Sequence, residues 1–173
     1  MLSITNTIER TLNQSRLNLI EKTTTMSGMH KDNDDPFCYY SGSERCDYIF
    51  IDTDNYARIM SPLASDENVQ IMCSEEYSNV FTIMVPVWKM ELSQSMIDHI
   101  FAVAKNIDIS KKVNINPPIP YYIWVNDMVM FASVDMNTNP CATNLNKILS
   151  GIEMTDRCAT EVRKYFNKLL GIW

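Results

Sequence analysis

The side chains of this sequence best suited to nucleophilic or acid–base work are two histidines and five cysteines, and neither set is arranged for it. Cys38, Cys46, Cys73, Cys141 and Cys158 are odd in number and widely spaced. No CxxC pair is present, which argues against a zinc site or a dithiol redox motif. Reduced thiols packed as small hydrophobes are the expectation. His30 lies in a polar stretch, and His99 sits beside a broad apolar run. A Cys–His nucleophile needs the two groups in contact in the fold, and no local signature places a cysteine near His99. Asp52-Thr53-Asp54-Asn55 looks like the start of a calcium loop. Such a loop needs glycine at its sixth position and glutamate at its twelfth, where this chain has Ala57 and Leu63. The adjacent pairs Asp66-Glu67 and Glu75-Glu76 point apart on a strand or turn, so neither forms a two-carboxylate site by itself. Glycines at positions 28, 42, 151 and 171 build no phosphate cradle, and GxSxG, HExxH and Walker patterns are missing. The residues therefore predict no catalytic group, no metal and no cofactor. An enzyme, as the third reading, requires a pocket that sets His99 or a cysteine against a carboxylate.

The elements that would position any site are clearer. Ile4, Ile8, Leu12 and Leu19 follow a helical period over residues 4–20, with Ser3 as a cap. Residues 23–45 lose periodicity and carry turn formers such as Asp34-Asp35-Pro36 and Ser41-Gly42-Ser43, which predicts a long, mobile or packed-down loop. Tyr48–Ile51 reads as a buried strand, Tyr56–Met60 as its partner, and Val69, Ile71 and Cys73 as one face of another. Val80–Trp88 is the strongest strand, with Phe81, Ile83, Val85 and Val87 on one face and Val80, Met84 and Trp88 on the other. Pro86 within it argues for an edge position or a bulge. Residues 93–107 return to helical period with a wide apolar face. The prolines of 117–120 end any helix there. A hairpin follows, with Asn126-Asp127 as its turn, then a helix from about Asn144 capped by Thr143. Gly151 marks a possible break in it, with Thr155 as a second cap.

This order defines the expected fold class: a single α+β domain over 1–173, with an antiparallel β-sheet of about five to six strands, an N-terminal helix, a central helix and a C-terminal helix. A chain of 173 residues, 46% hydrophobic and 21% charged, suits one domain with a real core. No apolar run approaches the roughly 20 residues that cross a bilayer. Met1–Thr5 lacks a basic n-region, so a cytoplasmic location is the expectation. The formal charge is −6. Residues 31–80 hold eleven acidic residues against Lys31, Arg45 and Arg58, a balance of −8, while the last thirty residues are +2. An acidic surface disfavours nucleic acid and anionic membranes as partners. Twelve methionines suit surfaces that accept varied apolar partners.

Helix, strand block, helix, hairpin, helix is also the order of the class I type III secretion chaperones and the YbjN-like domains, and this chain resembles them. The resemblance is carried by Ile4–Ile20, Tyr48–Trp88, Met96–Ile107, Tyr121–Val134 and Leu145–Leu169, and by the acidic isoelectric point near 4.9. It implies a cytosolic homodimer that holds an unfolded or extended segment of a secreted protein, without catalysis. A sheet with apolar residues on both faces offers a groove for such a segment, and one face would need a cover from outside. Met84, Val87 and Trp88 on the strand and Met96, Ile100 and Phe101 on the helix are the expected contacts. The alternative is a small inhibitor or immunity-type protein docking an acidic face, Asp32, Asp34, Asp35, Glu44 and Asp47, on a basic partner.

Overall fold

The computed structural model describes residues 3–14, 19–25, 29–31, 38–40, 45–51, 69–74, 79–88, 93–104, 109–126, 129–137 and 144–171. The chain is α+β. Helix α1 (Ser3–Asn13) precedes strands β1 (Leu19–Thr25), β2 (Met29–Lys31), β3 (Cys38–Tyr40), β4 (Cys46–Ile51), β5 (Val69–Ser74) and β6 (Val80–Pro86). Helix α2 (Gln94–Ala104), the single turn α3 (Ile109–Lys112), the hairpin β7 (Tyr122–Asn126) and β8 (Val129–Asn137), and helix α4 (Leu145–Leu170) complete it.

Among the described residues one sheet of eight strands runs β1-β4-β5-β6-β8-β7-β3-β2. Its pairs are antiparallel except β3 with β7. The sheet is larger than the five or six strands expected, because β2 and β3 come from the stretch read as a loop and β1 spans the end of the expected first helix and the start of that loop. The turn formers there do punctuate the chain, but strands of three residues are too short to show a period. The first helix is correspondingly shorter than expected: Leu19 and Ile20 open β1, which pairs with β4 through a bulge after Leu19. The hairpin register sets Asn126 across from Val129, so Asn126, expected in the turn, is a paired strand residue. The expected strand Tyr56–Met60 lies outside the described residues.

Strand alternation sorts the sheet into two apolar faces. Ile49, Ile51, Ile71, Phe81, Ile83, Val85, Ala132 and Val134 point to the helices, where they meet Ile4, Ile8 and Leu12 of α1, Ile97 and Ile100 of α2, and Ile148, Ile152, Val162 and Phe166 of α4. The opposite face gathers Cys46, Tyr48, Met72, Met84, Val129 and Phe131, all buried, with Phe50 and Tyr122 partly so. The expectation that one face is left for an outside cover is corrected here. The buried residues of both clusters are shielded within this chain, and among all the described residues Leu169, 38% exposed, is the exposed large hydrophobic.

Pro86 is not on an edge strand, since β6 lies between β5 and β8. Val87 donates its N–H to the Met130 carbonyl at 2.8 Å. Alternation therefore turns the Pro86 nitrogen towards the β5 side, where the described pairing stops at Met84. Among the described β5–β6 pairs none involves Pro86.

Helix α4 is continuous through Gly151 and has no second cap. Asn144 is the N-cap and accepts from the Lys147 N–H at 3.0 Å; Thr143, the expected cap, lies outside the described residues. Thr155 donates its hydroxyl back to the Gly151 carbonyl at 2.7 Å. The helix ends at Gly171, whose φ of 70° is the left-handed C-cap conformation and whose N–H turns back to Lys168 and Asn167.

Candidate functional site

The six expected contact residues divide into two groups. Met84, Val87 and Ile100 are fully covered, Met84 within the second sheet face and the other two within the main core. They are corrected from contact residues to packing residues, because strand and helix periodicity identifies an apolar face without saying what the chain itself lays over it. Trp88, Met96 and Phe101 are packed against the main core yet remain partly exposed.

Trp88 stands where β6 ends and is fixed by the last turns of α4. Its indole Nε1–H donates to Asn167 Oδ1 at 2.9 Å, and its ring lies 5.9 Å from that of Phe166. Phe166 in turn meets Tyr165 edge-on at 5.6 Å. Arg163 Nη1 donates to the Val87 carbonyl at 3.2 Å. Asp156, Arg163 and Asn167 recur at helical spacing and share one flank of α4, so a polar seam runs down the helix beside the Trp88 corner. On α2, Ile97 and Ile100 point inward, whereas Met96, Phe101 and Val103 stay partly open and Ala102 is exposed. This helix carries apolar residues beyond the stripe the core takes up. His99 is exposed on its outer side.

Burial raises the Asp156 carboxyl from its ordinary 3.8 to about 6, against the opposing pull of the Arg163 guanidinium. Burial also lowers Arg163, with Asp156 and Glu161 acting the other way. The folded chain thus keeps the Asp156 proton to higher pH than the unfolded chain does. Its contribution to stability is greatest below about pH 4, declines as pH rises through about 6, and is flat above. Asp156→Asn is therefore expected to unfold later than the parent at pH 7.5, by up to about 1 kcal/mol after solvent screening, with the gap closing towards pH 4.5. Urea unfolding at the two pH values checks this; a gap that widens on acidification contradicts it.

A second polar group is buried under α1. Asp47 is 1% exposed and lies on the same sheet face as Ile49 and Ile51. Thr5, itself 0% exposed, donates its hydroxyl to Asp47 Oδ2 at 2.8 Å. Arg45 Nη2 is 4.0 Å from the other carboxylate oxygen. Cys73 is the register partner of Asp47 and hydrogen-bonds Thr5. The alternative acidic docking face loses Asp47, which is interior; Asp32, Asp34, Asp35 and Glu44 lie outside the described residues. Sequence reading missed this layer, although one signal was present: Asp47 occupies the apolar phase of Asp47-Tyr48-Ile49-Phe50-Ile51.

These groups offer little nucleophilic chemistry. Burial, aided by the Asp47 charge and opposed by the Thr5 hydrogen bond, pushes the Cys73 thiol up to about 12. Burial raises Cys158 to about 11. Both are neutral thiols at physiological pH. Cys46, Cys73 and Cys158 are free and buried. Among the described residues no three His, Cys, Asp or Glu side chains lie close enough to hold a metal ion. The paired acids at 66–67 and 75–76 and the stretch 52–55 lie outside the described residues. A shallow pocket of about 180 Å³ between α3 and β7 is lined by Val113, Ile115, Pro118, Ile119 and Pro120, with Asn114 and Tyr121 as its polar members. On the second sheet face, Thr82 and Tyr122 both donate to Asp135 Oδ1, at 2.7 and 2.6 Å.

No protein-family model, curated protein or solved structure matches this chain. No described helix is long and apolar enough to cross a membrane.

Proposed function

We propose that this chain is a non-enzymatic protein-binding module, a homodimer in the cytoplasm that holds an unfolded or extended segment of a partner protein in the manner of a secretion chaperone. The observation that carries the reading is α2, whose Met96, Phe101, Ala102 and Val103 keep apolar surface open after Ile97 and Ile100 have met the core. Trp88 supports it as an aromatic anchor of the kind that dominates contact energies. The order helix, strands, helix, hairpin, helix, on which the resemblance to secretion chaperones rests, adds to it. Met96 and Phe101 then serve as adaptable contacts, and Trp88, held by Asn167, as the rigid one.

Two measurements test the reading. Light scattering after size exclusion is expected to give twice the chain mass. A reduced, alkylated protein that cannot fold is expected to bind, and to remain bound at about 0.5 M salt, because apolar contact is not screened as exposed charge is. Met96→Asp with Phe101→Asp should abolish that binding, and because both side chains pack against the core the variant is expected to lose roughly 1–3 kcal/mol, with urea unfolding showing that it still folds. A strict monomer at high concentration removes the dimer, and binding lost in salt removes the apolar contact.

A further inference from the structure

We propose that α1 is a displaceable cover, and that the sheet strip beneath it, centred on Asp47 and Ile49 of β4 and Ile71 and Cys73 of β5, accepts in its place an amphipathic helix of the same chemistry supplied by a protein partner. The strip already receives a helix, since Ile4, Ile8 and Leu12, at intervals of four on α1, are buried in the same core cluster as Ile49, Ile71 and Cys73, and the Thr5 hydroxyl is bound to Asp47. A competing helix needs the same apolar spacing and a hydrogen-bond donor one residue after the first apolar position. This inference uses a different surface from α2 and Trp88, so each can fail without the other.

The interface under α1 is built to open more readily than that under α4. Helix α1 has 11 residues and one buried stripe, and helices of that length are marginal by themselves. Helix α4 has 26 residues and buries eight of them, from Ile148 to Phe166. More telling is the polar layer. When an apolar interface parts, both surfaces lose by meeting water. When Thr5 and Asp47 part, the carboxylate regains hydration that the interior denied it, so opening here is less unfavourable than for an all-apolar contact of equal area. The same layer gives selectivity: a helix that covers Asp47 without a donor at that position leaves its carboxylate one hydrogen bond short.

Two buried cysteines report on the two covers, since Cys73 lies by the Thr5–Asp47 bond and Cys158 is a core residue of α4. The native chain is alkylated with N-ethylmaleimide across sub-denaturing urea concentrations, digested, and each site is quantified by mass. The expected result is that Cys73 is modified at least about 10-fold faster than Cys158 and with a shallower urea dependence, as for local rather than global opening. Thr5→Val is expected to speed Cys73 by about 10-fold or more, the loss of one hydrogen bond to a charged group, and to leave Cys158 unchanged. An acetylated peptide of residues 1–14 should then bind the Thr5→Val chain more tightly than the parent and slow modification of Cys73. Equal rates and equal urea slopes at Cys73 and Cys158 would mean that α1 leaves only on global unfolding, and would overturn the proposal. So would a peptide that does not protect Cys73 in either chain. The comparison within the parent chain keeps the test decisive if Thr5→Val does not fold.

Discussion

Phe166→Ala is expected to lower unfolding free energy by about 3–5 kcal/mol, the usual range for emptying a buried aromatic site. Phe166 is fully buried on the inner face of α4 and is the ring that both Trp88 and Tyr165 contact. Its removal opens a cavity where the end of β6, the long helix and the sheet meet. The cavity does not close easily, because Trp88 is tied to Asn167 and Arg163 to the Val87 carbonyl. Urea unfolding followed by circular dichroism checks the number. A loss below about 1 kcal/mol with an unchanged urea slope would mean that the corner repacks, and that Trp88 is not held in the way described. Phe166→Leu, which keeps most of the volume, should lose much less.

Gly151→Val is expected to be nearly as damaging, at about 3 kcal/mol, and Gly151→Ala to be destabilising by about 1 kcal/mol despite alanine's higher helix propensity. A Cβ at position 151 would stand 2.4 Å from Ile83 Cδ1 and 3.1 Å from Met136 Sδ. Ile83 is itself fully buried in the core, so its end carbon has little room to yield. Glycine is here because α4 crosses β6 and β8 closely, and the helix stays continuous through it. Gly171 is the contrast. A Cβ there meets nothing within 4 Å, but φ is +70°, so Gly171→Ala should cost about 1 kcal/mol from backbone conformation alone. Parallel denaturation of the Gly151 and Gly171 variants separates packing from conformation. A Gly151→Ala chain more stable than its parent would show that Ile83 moves aside.

The two glycines also illustrate what was readable in advance. A glycine inside a helical period signals a break when propensity is the only guide. The reason for Gly151 lies on β6 and β8, which are distant in sequence. The helix cap shows the same limit on a smaller scale. Asn144 and the residue before it are both good caps by residue type, and only the folded chain shows Asn144 accepting the Lys147 N–H. The contact residues were legible as apolar but not as available. Met84, Val87 and Ile100 belong to the same periodic patterns as Trp88, Met96 and Phe101, and burial differs because other segments lie over three of them. Thr5 and Asp47 show the converse, an unremarkable threonine and an acidic residue among many that become one buried pair across 42 positions of sequence.

The sequence by itself determined the alternation that makes β4, β5, β6 and β8 two-faced strands, the helical stripes of α1 and α4, and hence an α+β fold with helices on a sheet. These features depend on side-chain periods of two and about 3.6 residues, which are local and survive without a partner. The tertiary structure alone decided that eight described strands join in one sheet, that Cys46, Tyr48, Met72, Met84, Val129 and Phe131 on its second face are buried, that a carboxylate is enclosed beneath α1, and that Trp88, Met96 and Phe101 stay partly open where Met84, Val87 and Ile100 do not. Each of those depends on which distant segments remove which side chains from water, and a one-dimensional pattern records how apolar a residue is, not what covers it.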